Sequence, residues 1–171
     1  APHSTLDGCL RSFTRVEQLG ANERCFCATC GELQDSAKQL SIHRLPPVLC
    51  VHLKRFKQAD YKAHQGKPST SSKLEGLVPF PLHSLDMFPH TAAHICGDSA
   101  APRELHASHL YDLFGVAVHH GSMQNGHYTS YVRHQASWFH CDDSAISAVS
   151  EATVRACSAY MLFYVQKRLQ P

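Results

Sequence analysis

No apolar run in this sequence approaches the ~18 residues that a membrane-spanning helix needs, so a helical span is excluded and no membrane role is expected. Nothing at the start has the form of a signal peptide. Ala1-Pro2-His3-Ser4 leads straight into a helical pattern without an initiating methionine, so the chain reads as cut from something longer. Charge of either sign is scarce. The formal net charge is +2, from 16 Lys and Arg against 14 Asp and Glu, which is too little to argue for direct nucleic-acid contact. There is no internal repeat, which excludes solenoid and propeller architectures.

What is present fits one domain or a large piece of one. The chain has 171 residues, 43% of them hydrophobic, enough to bury a core. Histidine is abundant at 14 residues, and protonating all of them would lift the formal charge from +2 to +16, so acid should stress the fold wherever they are buried neutral. Of the eight cysteines, three crowd into Cys25-Phe26-Cys27-Ala28-Thr29-Cys30 and the rest stand singly among apolar residues. Tight Cys-x-x-Cys spacing without a secretory context favours metal and reduced thiols, hence an intracellular protein, nuclear or cytoplasmic.

Ser4-x-x-Asp7 has the form of a capping box, and Leu6, Cys9, Leu10 and Phe13 follow at helical spacing, so a short helix is expected over about 5–14. Residues 38–45 alternate as a strand. Val48 to Phe56 leaves few polar positions and is expected to be a central strand. Residues 58–72 and 87–108 read as irregular stretches. Strands are expected over 110–119, 127–133, 138–141 and 160–165, with a Gly121/Gly126 turn between the first two and a helical turn or two over 150–156. About seven strands and two helices make an α+β domain dominated by antiparallel sheet.

Gly126-His127-Tyr128 sits where a loop re-enters a strand, and Asp142-Asp143 follows fifteen residues after His127. A hairpin of that length can return the carboxylates to the imidazole, forming the base and orienter of a nucleophilic triad. Spacing alone leaves a second reading open: one histidine among 14, and a turn. Cys27-Ala28-Thr29-Cys30 followed by Gly31 has zinc-knuckle spacing, with Cys25 close by; two ordinary buried thiols is the alternative. His90, His94 and Cys96 could form another ligand set, against the simpler reading of an exposed loop. Cys9, Cys50, Cys141 and Cys157 read as structural, because a reactive thiol wants a partly exposed, electropositive place.

Four separated segments extend the pattern. They are Leu45-Pro46-Pro47-Val48-Leu49-Cys50-Val51-His52-Leu53-Lys54-Arg55-Phe56; His119-His120-Gly121-Ser122 with Gly126-His127-Tyr128-Thr129-Ser130-Tyr131; Trp138-Phe139-His140-Cys141-Asp142-Asp143-Ser144; and Tyr160-Met161-Leu162-Phe163-Tyr164. In this order, from about Thr5 to Val165, they resemble the ubiquitin-specific proteases. Lys38-Gln39-Leu40 and Cys141-Asp142-Asp143 look most like the subgroup of the SAGA transcriptional coactivator, which acts on histone-linked ubiquitin.

The resemblance implies a papain-like cysteine protease fold, with a palm sheet over about 46–57 and 73–166, a fingers remnant over about 23–45, and the thumb missing. His127 matches the general base, Asp142 the triad acid and Asp143 its neighbour. Gly126, Tyr128, Gly121 and Ser122 match positions bordering the ubiquitin tail, and Trp138 is expected to pack under the His strand. Cys27 and Cys30 match the second zinc-binding pair of the fingers, and the first pair is not in this chain. Neither is the box that carries the nucleophilic cysteine.

The expected function is therefore thiol-dependent hydrolysis of the isopeptide bond after ubiquitin's C-terminal glycine, by an enzyme of which this chain alone is inactive. The expected partners are ubiquitin and ubiquitinated proteins, histones among them, within a multi-subunit complex, with structural Zn2+ as cofactor. The alternative is a catalytically dead ubiquitin-binding or zinc-ribbon interaction module.

Overall fold

The computed structural model of the chain describes residues 5–57, 72–97, 106–122 and 125–169. Helix α1 spans Leu6–Phe13. Its cap is Thr5, whose hydroxyl accepts from the Gly8 amide, and not the expected Ser4, which lies outside the described residues. Asp7 pairs with Arg11 one turn on, on the exposed side. Leu6 is buried, and its amide donates to the Pro79 carbonyl at 2.9 Å, which fastens the helix to the core.

Strands β1 (Val16–Gln18), β2 (Cys25–Cys27), β3 (Glu32–Gln34) and β4 (Ala37–Gln39) make two small antiparallel pairs, β1 with β4 and, between them in sequence, β2 with β3. The strand expected over 38–45 is thus confined to Ala37–Gln39. The chain leaves β1 there because the Ile42 backbone is taken elsewhere: its amide donates to the His90 carbonyl, and its carbonyl accepts from Ala92.

The rest of the chain builds the main sheet. Strand β5 (Val48–His52) is followed by the two-residue strands β6 (Phe56–Lys57), β7 (Ser72–Lys73) and β8 (Leu85–Asp86), then by the one-turn helices α2 (Ala92–Ile95) and α3 (His106–His109). After them come β9 (Leu110–Gly121), β10 (Gly126–His134), β11 (Ser137–Asp142), β12 (Ala145–Val149), helix α4 (Glu151–Arg155) and β13 (Ala159–Gln166). The main sheet is antiparallel in the order β12-β11-β10-β9-β13-β5, with β8 paired to the start of β9, while β6 and β7 form a separate ribbon.

Two expectations are corrected. Strand β5 lies at the edge of the sheet, with Val48, Cys50 and His52 exposed and Leu49 and Val51 half-buried; the hydrophobic run reflects the groove described below, not a central position. Thirteen strands are found among the described residues where about seven were expected, because ladders of two or three residues are too short to leave a periodic signature. Most of the expected loop at 58–72 lies outside the described residues, and residues 87–97 contain short helical turns.

Strand β9 is the central strand. Tyr111, Leu113, Val116 and Val118 are all buried on one face: Leu113 pairs with Tyr164 and Val116 with Leu162, two residues apart on β13, and the bulge in β9 between those pairs shifts its alternation by one residue. Leu162 and Tyr164 of β13, Trp138 of β11 and Val154 of α4 complete the core. Each buried aliphatic side chain stabilises the fold by about 1.5–3 kcal/mol. The two deepest tyrosines satisfy their hydroxyls, Tyr111 donating to the Pro46 carbonyl and Tyr164 to that of Pro81. Ser150 caps α4 by accepting from the Thr153 amide at 3.2 Å.

Candidate active site

Strands β10 and β11 are joined by a tight turn and run back on each other, with Ser130 opposite Cys141. His127 is near the start of β10 and Asp142 ends β11, so the hairpin brings them together. His127 Nε2 lies 2.5 Å from Asp142 Oδ1, a short contact of the charge-assisted kind. Both side chains are about half exposed, at 49% and 47%. Asp143 stands beside the pair in the left-handed conformation (φ 48°), at the turn that sends the chain into β12. Potential ligand atoms of His127, Asp142 and Asp143 lie within 4.8 Å of one another.

The arrangement has a definite acid–base sense. Asp142 accepts from Nε2–H, which fixes the neutral tautomer and leaves the Nδ1 lone pair free to take a proton. The hydrogen bond to Asp142 holds the His127 imidazole above its ordinary pKa, and the same bond holds Asp142 below the usual carboxylate range. Among the described residues no thiol lies within hydrogen-bond reach of His127. Cys141 is on the adjacent strand, but strand alternation turns it to the face opposite Asp142. Cys157 is buried, which pushes its thiol up to about 11. Cys50 is exposed on the sheet edge, and Cys9 is half-buried on α1.

The loop before the base is held by its backbone. Gly121 has φ +108°, and a β-carbon there would collide with the Asn125 carbonyl, so only glycine fits. The Ser122 amide donates to the Asn125 carbonyl at 2.8 Å. Gly126 is close-packed too. The space its β-carbon would fill is occupied by the His119 ring, reaching across from β9. Tyr128 is 57% exposed and belongs to an aromatic cluster. Its ring lies 4.8 Å from His119 and 6.1 Å from Tyr160, and Phe56 lies 5.3 Å from His119. Lys73 donates to the carbonyls of His119 (2.8 Å) and Gly121 (3.1 Å). Phe56, Lys73, His119 and Tyr160 were not singled out from sequence. They come from four strands; Phe56, His119 and Tyr160 lie in the segments around positions 45–56, 119–131 and 160–164, and Lys73 lies in none of them.

Cys27 ends β2, and Gly31 turns the chain with φ +72°, its amide donating to the Cys27 carbonyl at 2.8 Å. Amides of Cys30 and Thr29 point at the Cys27 sulfur and lower its pKa, as suits a thiolate ligand. This knuckle fits half of a tetrahedral zinc site. Cys25 does not join a three-ligand group with Cys27 and Cys30, and among the described residues only His127, Asp142 and Asp143 form such a group. His90 is not in an exposed loop: it is buried, with Nδ1 3.0 Å from the Thr14 hydroxyl. It forms no ligand set with His94 and Cys96.

Residues 4–164 match the ubiquitin carboxyl-terminal hydrolase family. Ubiquitin C-terminal hydrolase 22 of Arabidopsis thaliana is 37% identical over 179 residues, covering 95% of this chain and 30% of that protein. Human ubiquitin carboxyl-terminal hydrolase 3 is 41% identical over 166 residues, covering 96% and 29% respectively. Among solved structures, the SAGA deubiquitinase module Ubp8/Sgf11/Sus1/Sgf73 bound to monoubiquitin aligns with a TM-score of 0.76 at 32% identity, over 95% of this chain and 32% of that one. The same module bound to ubiquitin aldehyde gives 0.75 at 32% identity, over 95% and 33%. The sheet-dominated α+β architecture is the papain-like fold of those structures. The chain spans about 30% of the length of these curated relatives.

Proposed function

The chain belongs to the ubiquitin carboxyl-terminal hydrolase family, and from that premise we propose that it carries the base and acid of a deubiquitinating thiol protease whose nucleophile comes from outside these 171 residues. The observation that supports this reading best is the 2.5 Å contact between His127 Nε2 and Asp142 Oδ1, which leaves Nδ1 as the free base. In the reaction, Nδ1 takes the proton of the cysteine thiol as sulfur attacks the carbonyl carbon of ubiquitin's last glycine. The tetrahedral adduct collapses, the C–N bond breaks, and the leaving lysine amine takes that proton from His127. Water then adds to the thioester with His127 again as base, releasing the carboxylate and restoring the thiol. Asp142 orients the ring and stabilises the imidazolium, with Asp143 assisting.

Gly121, Ser122, Gly126 and Tyr128 border the path of the glycine tail in this reading. Ubiquitinated proteins are the substrates, histones among them, and a multi-subunit assembly is the setting. Cys27 and Cys30 would hold one side of a structural Zn2+, which would tie the tip of the β2–β3 hairpin when bound. Residues about 23–45 then act as part of a fingers unit beside the palm sheet.

The test uses a fluorogenic amide at the C-terminus of ubiquitin. The 171-residue chain alone should not hydrolyse it above background. Adding the cysteine-bearing segment of a family relative should produce turnover, and His127→Ala should abolish it. Turnover by the chain alone, blocked by a thiol alkylating agent, would sink the reading and make Cys9 and Cys25 the first residues to mutate. Tight ubiquitin binding without turnover in any combination would favour a non-catalytic ubiquitin-binding module.

A further inference from the structure

We propose that His119 is a positioning residue for the base, setting the aim of His127 from the opposite face of the sheet; this rests on the acid–base reading of His127 above. His119 sits directly across from Tyr128 in the β9–β10 ladder, and Gly126 lies opposite Gly121 one pair beyond His127 and His120. Alternation therefore puts Gly126, Tyr128 and His119 on one face and His127, with Asp142, on the other. The His119 ring touches both chain neighbours of His127. It fills the volume that a β-carbon on Gly126 would need, and it packs on the Tyr128 ring at 4.8 Å. A side chain cannot touch His127 through the sheet, but it can fix the rotation of the backbone on either side of it.

The ring is itself firmly held. It is 7% exposed, with Phe56 at 5.3 Å and Tyr160 at 6.0 Å. Its carbonyl and that of Gly121 are both bound by Lys73. Those contacts come from β6, β7, β10 and β13, so the end of β9 is braced from several directions. The charged and titratable groups around it are Lys73, His120, Tyr128 and Tyr160. Burial, then Lys73 and His120, hold the His119 pKa down, so the ring packs as a neutral body. Its Nδ1 is buried with no hydrogen-bond partner among the described residues, a cost that packing alone would avoid with an apolar side chain. A hydrogen bond as short as that of His127 to Asp142 tolerates only about 10–20° of misalignment in its support.

The experiment follows the His127 ring by NMR titration in the 171-residue chain. Four proteins are compared: wild type, Asp142→Asn, His119→Ala and Gly126→Ala. Asp142→Asn should bring the raised His127 pKa down toward 6.5. His119→Ala empties the contact, and Gly126→Ala overfills it from the other side. Each should move His127 in the same direction at least about half as far, with the amide spectrum still that of a folded protein. A residue that merely fills space would lower the melting temperature and leave the His127 titration unmoved. If Asp142→Asn lowers the value while folded His119→Ala and Gly126→Ala titrate like wild type, the positioning role is overturned alone. If Asp142→Asn has no effect, the acid–base pairing fails and takes this inference with it.

Discussion

At the scale of single residues, the site depends on two kinds of constraint, charge and conformation. The His127–Asp142 pair links stability to pH in a defined window. His127 is raised above its ordinary 6.5, so its contribution is full below that value and is lost as pH rises through the folded pKa. Asp142 is lowered from 3.8, so its contribution is full above that value and is lost as pH falls through its folded pKa. The stability difference between wild type and His127→Gln should therefore be greatest between about pH 4 and 6.5 and shrink on either side, as thermal melts across pH would measure. Gly121 shows the conformational constraint. Gly121→Ala should cost about 1–3 kcal/mol in urea unfolding, because the left-handed φ and the Asn125 carbonyl both oppose a β-carbon.

At the scale of elements, the long strands carry the fold and the short ladders carry its irregularities. Leu162→Ala, on β13 between β9 and β5, should destabilise by about 2–5 kcal/mol, whereas Ile146→Ala, on exposed β12, should stay within about 0.5 kcal/mol. The zinc knuckle is an element-level device as well. If Cys27 and Cys30 act as ligands, cobalt should give a thiolate charge-transfer band that Cys27→Ser and Cys30→Ser each abolish. Strands β9, β10, β11 and β13 were legible in the sequence because each has enough alternation or apolar length to declare itself. The pairing of His127 with Asp142 was legible because a hairpin is a local structure, and fifteen residues fix its reach. The edge position of β5 was not, since an apolar run reads the same whether it faces sheet or groove. Nor was the His119–Gly126 packing, which depends on two strands meeting in one register and leaves no mark in either segment.

At the scale of the whole molecule, buried histidines and open surfaces dominate. His90 and His119 are both held below 6.5, chiefly by burial, so their contribution is present above that value and is lost as pH falls through their folded pKa values. Global stability should accordingly decline below about pH 6.5, where the His127 contribution is already full and no longer changes, and a melting series in matched ionic strength would reveal it. An open apolar groove of about 900 Å3 lies between α1 and β5, walled by Leu6, Leu10, Leu49, Val51, Leu74 and Met87. It should make the isolated chain bind an environment-sensitive dye such as ANS while still folded. Strand β5 adds something of a different kind. Among the described residues nothing pairs with its outer side, and β12 likewise ends the sheet at the other edge. Each edge is a row of amides and carbonyls that no strand among the described residues complements. Pairing of copies edge to edge is the expected consequence of two such edges, and no closed number follows from them. Polymerisation without a fixed stoichiometry, arrested by a proline in β5, is the signature such a boundary would leave in a sedimentation experiment.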